Sequence, residues 1–268
     1  MWDFSGLSFS YFSLSGFGLL MAFVFGIVSW GYYREIQKEK ASTHFFVHHF
    51  WRWVLAGVFL GRVMAILLDL EIFQQYGWFS LIAFWDGGIN FFGAILGFLL
   101  LLYHDTVHYK ESFWQWADMG TRFFLLGVIG FDIIAFLTGK VYGIETKLPW
   151  SVSYESFSIP VFSPVHPVTL YALILHVMLF WWLYRNEIFR KTNPAKIFTT
   201  VFFGYFVANF FILFFVGNPS PQIGIIRMDQ IFSLLGAVMV WNLAEKNNVN
   251  LPWTYLVQKV KNWKNWEK

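Results

Sequence analysis

Seven apolar stretches separated by short polar connections dominate the chain: 12–33, 50–70, 88–103, 113–137, 167–184, 196–216 and 228–243. A hydrocarbon core of about 30 Å takes roughly 20 apolar residues in a helix, and most of these stretches approach that length. The third is short when counted from Gly88, and the apolar run 78–85 before it reads as a partly inserted approach. The pattern predicts an all-α integral membrane protein of seven transmembrane helices. The one long connection, 139–165, breaks the helical pattern with Pro149, Pro160 and Pro164. Its alternation over 151–162 reads as a short hairpin or extended lid on a small extracytoplasmic head. No fixed-period repeat is visible, so the expected organisation is one membrane domain over 1–245 with an external lid at 139–165, followed by a basic aromatic cytoplasmic tail at 246–268.

Composition sharpens this picture. The chain is 57% hydrophobic, 23% aromatic and only 13% charged. A soluble domain carries roughly 25% charged residues, so an ordinary water-soluble globule is excluded, and so is a disordered chain. The net charge of +3 is too small to suggest a nucleic-acid partner. Positive residues are unevenly placed. Arg34, Lys38, Lys40, Lys110, Arg185, Arg190, Lys191, Lys196, Lys246, Lys259, Lys261, Lys264 and Lys268 fall on one side, against Lys140, Lys147 and Arg227 on the other. By the positive-inside rule the N-terminus is expected outside and the C-terminus in the cytoplasm, which an odd number of spans requires. The first ten residues hold no Lys or Arg, so no cleavable signal peptide is expected and the first span should remain as an anchor. In the tail, Trp253, Tyr255, Trp263 and Trp266 are interspersed with lysines, as in a short interfacial helix on anionic lipid. With no cysteine, the chain has no disulfide, thiolate metal site or cysteine nucleophile of its own.

Ionisable groups inside a span are expensive in hydrocarbon and point to function. Here they are Arg62, Asp69, Asp118, Arg122 and Asp132, with Asn209 as a polar exception in the sixth span. Asp118 and Arg122 are one helical turn apart and can neutralise each other. Arg62 has no such local partner, which leaves two readings: an anionic lipid headgroup or a carboxylate from a neighbouring helix. His44, His48 and His49, and then His104 and His108, fall in the expected cytoplasmic connections. Their spacing lacks the glutamate of a zinc-protease helix, and no metal or cofactor is assigned to them. His166 differs, because it stands beside Pro167 at the expected start of the fifth span. Gly87, Gly88, Gly93 and Gly97 suit either close helix packing or a groove facing a ligand.

Several fragments then resemble one family in order and separation. Trp85-Asp86-Gly87-Gly88-Ile89-Asn90-Phe91-Phe92-Gly93-Ala94-Ile95-Leu96-Gly97 resembles the W-D-G-G-x-S-F-H-G-G-x-x-G segment of bacterial prolipoprotein diacylglyceryl transferases. His166-Pro167-Val168-Thr169-Leu170-Tyr171 is similar to their H-P-S-Q-L-Y, and Met228-Asp229-Gln230-Ile231-Phe232-Ser233 to their M-G-Q-I-L-S. Gly61-Arg62 and Gly204-Tyr205 resemble the G-R and G-Y of their second and sixth helices. The resemblance implies seven helices in the bacterial inner membrane around a cavity open to the outer leaflet. It also implies transfer of the diacylglyceryl group of phosphatidylglycerol to the lipobox cysteine thiol of a prolipoprotein, with release of glycerol phosphate and no cofactor. The implied partners are the anionic phospholipid and prolipoprotein signal peptides. Such a reaction needs a cation for the phosphate and a group to take the thiol proton. Expected lipid contacts are Arg62, Gly87, Gly88, Asn90, Gly93, Gly97, Tyr171 and Gln230.

The departures fall on chemical positions. Phe92 replaces the family's motif histidine, Asp132 its phosphate-binding arginine, Ala135 an asparagine, and Lys140 a glutamate. Asn209 replaces an arginine of the sixth helix, Leu213 a glutamate, and Phe17 a first-helix tyrosine. The order Asp132 then Lys140 reverses the family's cation and anion, which moves the cation outward and makes Lys140, with Arg62, a displaced headgroup site. Two readings stay open. One is an active transferase using Lys140, His166 and Tyr205 in rearranged roles. The other is a non-catalytic membrane paralogue that binds lipid or a lipoprotein precursor.

Overall fold

The computed structural model describes residues 7–9, 12–14, 16–70, 73–74, 77–82, 88–154, 163–185, 194–249 and 251. Among them, α1 is Gly16–Lys38, α2 Thr43–Leu68, α3 Phe91–His108, α4 Phe113–Thr138, α5 Val168–Arg185, α6 Lys196–Ile212 and α7 Met228–Lys246. The helices α1 to α5 are long and apolar enough to cross a membrane. α6 is apolar but shorter, at 17 residues. α7 carries Asp229, Glu245 and Lys246. Large apolar side chains such as Phe23, Ile27, Trp30, Leu55, Phe59, Leu67, Val238 and Met239 stay exposed on these helices. In water that surface would be untenable; in lipid it is the expected outer face. The chain is a multi-pass integral membrane protein.

Helix boundaries depart from the apolar stretches where capping and pairing intervene. α1 starts at Gly16 and not at 12, because β2 (Phe12–Leu14) pairs antiparallel with β1 (Leu7–Phe9). α2 starts at Thr43, where the Ser42 side chain accepts the Phe45 N–H at 3.1 Å and caps the first turn. His44, His48 and His49 therefore lie on a helix, not in a connection. His104 and His108 likewise sit on the last turns of α3. A second small hairpin pairs β3 (Gln222–Ile223) with β4 (Ile226–Arg227) just before α7. The expected tail helix over 253–268, the lid residues 155–162 and Gly87 lie outside the described residues.

The chain divides into two compact units, 33–119 and 1–32 with 120–268. In the first, α2 and α3 meet along a seam of small residues. A Cβ at Gly57 would stand 2.9 Å from the Ala94 carbonyl oxygen, one at Gly93 2.8 Å from that of Leu60, and one at Gly97 would collide with that of Ala56. Backbones approach this closely only without side chains between them. At the far end of the seam, Trp53 is fully buried among Phe45, Phe46, Phe98 and Trp116.

In the second unit, Leu125 of α4, Leu183 of α5, and Ile197 and Val201 of α6 form a continuous apolar core. α6 reaches α7 through Phe206 against Gly236 and Phe203 against Trp241. α1 lies on α4, with Val24 on Gly130 and Tyr32 stacked on Phe123. Beyond α4 the described residues of the connection are held by isolated bridges. Antiparallel bridges join Gly143 to Val216, Glu145 to Val165, and Val152 to Val165. Tyr142, Tyr154 and Val165 form a small core of their own beneath it.

Candidate functional site

Polar side chains gather in three places, two in the larger unit and one in the smaller. The first is the head at the entrance to α5. The His166 N–H donates to the Ile144 carbonyl at 3.0 Å, and the backbone of Gly143 lies against the His166 carbonyl with no room for a side chain. This fixes the imidazole just ahead of the helix N-terminus. Tyr171, one turn into α5, accepts the Trp150 indole N–H on its hydroxyl at 2.8 Å. The same hydroxyl lies 3.2 Å from His166 Nδ1 and has its own proton to donate there. Phe215 packs beside His166 at a ring separation of 5.3 Å. Below, burial pushes the Tyr154 phenol above its usual pKa and keeps it neutral. Lys140 is exposed, and its carbonyl accepts the Asn218 amide at 3.2 Å while Asn218 Oδ1 accepts the Tyr142 N–H at 2.9 Å.

The start of α7 adjoins this region in sequence and carries its own polar set. Gln230 Oε1 accepts the Arg227 N–H at 3.0 Å and caps the helix. The Arg227 guanidinium donates to the Val216 carbonyl at 3.1 Å and lies 3.7 Å from Asp229, which in turn accepts from Ser220 Oγ at 2.7 Å. Arg227 Nε and Gln230 Nε2 are buried and have no hydrogen-bond partner among the described residues. In the sequence Arg227 registers only as a topology charge; its placement beside a helix N-terminus comes from the β3–β4 hairpin.

The second gathering is deep in the same unit. Asp132 of α4 and His176 of α5 meet at 2.7 Å between Oδ2 and Nδ1, and only 4% and 2% of their surfaces are exposed. The Tyr205 ring of α6 stacks on His176 at 5.4 Å and 21°, and Asn209 donates to the Tyr205 carbonyl at 3.0 Å. His176 is a buried imidazole that the sequence analysis does not single out. Its signal is present, since an imidazole inside an apolar span needs a partner as much as Asp132 does. Among the other substituted positions, Ala135 is fully buried and Phe17 packs edge-on against Phe131 at 6.1 Å.

The third gathering lies in the smaller unit. Arg62 is 2% exposed and donates from Nε to the Ser80 carbonyl at 2.7 Å and from Nη1 to the Gly88 carbonyl at 3.1 Å. Asn90 caps α3 by accepting the Gly93 N–H at 3.1 Å, and its own N–H donates to the Gly61 carbonyl at 2.9 Å. These bonds tie the turn Gly77–Leu81 and the entry to α3 onto α2. Gly93 and Gly97 turn toward the α2 backbone, the helix-packing role of the two weighed from sequence. Phe92 is half-buried on the first turn of α3. At the other end of this unit the buried Asp105 accepts from Trp53 Nε1 at 2.9 Å, with Arg52 at 3.5 Å and His104 at 3.1 Å. Asp105 is a buried carboxylate that the sequence analysis does not single out.

Residues 6–244 match the family model described as prolipoprotein diacylglyceryl transferase. The chain is similar to the phosphatidylglycerol–prolipoprotein diacylglyceryl transferase of Pasteurella multocida (strain Pm70), 31% identical over 200 residues that cover 69% of this chain and 70% of the relative. The enzyme of the same name from Mannheimia succiniciproducens is 30% identical over 197 residues, covering 69% and 71%. A third, from Solidesulfovibrio magneticus, is 28% identical over 247 residues, covering 87% of this chain and 91% of the relative.

Proposed function

Because the chain belongs to the prolipoprotein diacylglyceryl transferase family, we propose that it moves the diacylglyceryl group of phosphatidylglycerol onto the cysteine thiol of a prolipoprotein signal peptide. In this reading all seven helices span the inner membrane of a bacterium, with the N-terminus and the 139–165 head outside and the C-terminus in the cytoplasm. The observation that carries the proposal is the hydrogen-bonded chain from Trp150 through Tyr171 to His166, whose His166–Tyr171 fragment resembles the family's H-P-S-Q-L-Y. A polar constellation of this kind on a packed backbone suits the handling of a headgroup at the membrane surface.

The reaction asks for positive charge at the phosphate. On the external side Lys140 is exposed at the end of α4 and Arg227 stands at the start of α7, and both are suited to an anionic headgroup. Arg62 contributes by holding the Gly88 and Ser80 segments in place, and Asn90 by fixing the first turn of α3. The acceptor thiol comes with the substrate, so the absence of cysteine from this chain is no obstacle.

A second reading has its own support. Phe92 carries no proton-transfer chemistry, and an aspartate at 132 would repel a phosphate, so a chain that only binds lipid or precursor is the competitor. Expression in a bacterium depleted of its own transferase separates the two. The proposal expects thioether-linked diacylglycerol to return to a reporter lipoprotein; a chain that reaches the membrane and restores none supports the binding-only reading.

A further inference from the structure

Asp132 has no cation at helical spacing on α4, so its partner has to come from another element. That partner is His176, 2.7 Å away on α5, with Tyr205 of α6 lying against the imidazole and fixing its plane. With Asp132 ionised, the carboxylate only accepts, so in that state Nδ1 carries the proton and Nε2 presents a lone pair. Among the described residues nothing donates to Nε2, although it is buried. That nitrogen is the one the pairing leaves for a substrate proton.

Resting on the transferase reading, we propose that His176 is the base that takes the proton from the acceptor thiol, with Asp132 as the positioning residue that orients it and stabilises its charged form. The arrangement is the base half of a nucleophile–histidine–aspartate chain, the nucleophile arriving with the substrate.

The step balances without redox chemistry. The thiol proton passes to His176 Nε2, and the sulfur forms a C–S bond to the glyceryl carbon as that carbon's C–O bond to phosphate breaks. The departing phosphate oxygen then takes the proton from Nε2, and glycerol phosphate leaves. Asp132 remains ionised throughout.

The test uses the full-length chain in phosphatidylglycerol vesicles with two lipobox peptides, one bearing cysteine and one selenocysteine, whose selenol is already ionised at neutral pH. His176→Gln is expected to slow transfer to the cysteine peptide about 100- to 10,000-fold, while transfer to the selenocysteine peptide stays within about 10-fold of the unsubstituted chain. Asp132→Asn, which keeps the side-chain shape, is expected to show the same contrast, since a mis-oriented base fails only where a proton must be taken. Thermal unfolding in detergent confirms that both variants are folded. Equal losses with both peptides in folded variants, or no loss with either, overturn the assignment while leaving the transferase reading intact. An unsubstituted chain that transfers to neither peptide overturns the transferase reading and the assignment with it.

Discussion

Arg62 shows how a charge on an apolar helix can be built into the fold. Its guanidinium is spent in part on the carbonyls of Ser80 and Gly88. Replacing Arg62 by Met keeps the apolar stem and strands both carbonyls. The expected result is a loss of about 1–3 kcal/mol of stability, seen as a lower Tm of the purified protein in detergent. If the side chain serves only a headgroup, Arg62→Met leaves Tm unchanged and weakens phosphatidylglycerol binding alone. Single-residue chemistry of this kind was partly legible. A lone arginine in a span announces a partner, but the sequence offers no way to choose between a lipid and two carbonyls. His176 and Asp132 are 44 positions apart, and Trp53 and Asp105 are 52 apart. Each pair forms only because two helices pack side by side, which no local spacing encodes.

Among the helices, the close seam between α2 and α3 makes a sharp contrast with α1. Gly97 leaves no space for a Cβ against the Ala56 carbonyl, whereas Gly26 on α1 has nothing within 4 Å of where a Cβ would stand. Gly97→Val is expected to force the two helices apart at a cost of about 1–3 kcal/mol or more, with poor recovery of folded protein. Gly26→Ala is expected to be neutral or to stabilise by up to about 1 kcal/mol through helix propensity. Thermal unfolding of the two variants side by side checks this; equal effects would contradict the packing described. Existence of the helices was readable because apolar length is a one-dimensional property of the chain. Their ends were less so. The start of α2 at Thr43 depends on one side-chain cap from Ser42, and its first turns carry histidines that no hydropathy pattern includes.

For the whole molecule, the uneven distribution of Lys and Arg predicts an external head and a cytoplasmic tail. The chain contains no cysteine, so a single introduced cysteine is a clean reporter of sidedness. A cysteine at Lys147 is expected to react with a membrane-impermeant maleimide added from the periplasmic side. One at Lys110 should react only after the inner membrane is opened. The reverse pattern would invert the proposed topology and with it the access of the head to outer-leaflet lipid. Family membership covers most of the chain, and it was legible from glycines, prolines and aromatics that shape the backbone. The chemistry was harder to read, because Phe92 and Asp132 depart from the motifs that the chain otherwise resembles, and the base proposed here, His176, lies outside those motifs.

Catalytic turnover is the central claim, and the most direct measurement of it is the mass of a lipobox peptide incubated with the purified chain in phosphatidylglycerol vesicles. The account predicts that the peptide gains one diacylglyceryl group on its cysteine, with one glycerol phosphate released for each group transferred. A peptide of unchanged mass, in the presence of folded protein that still binds phosphatidylglycerol, would contradict it.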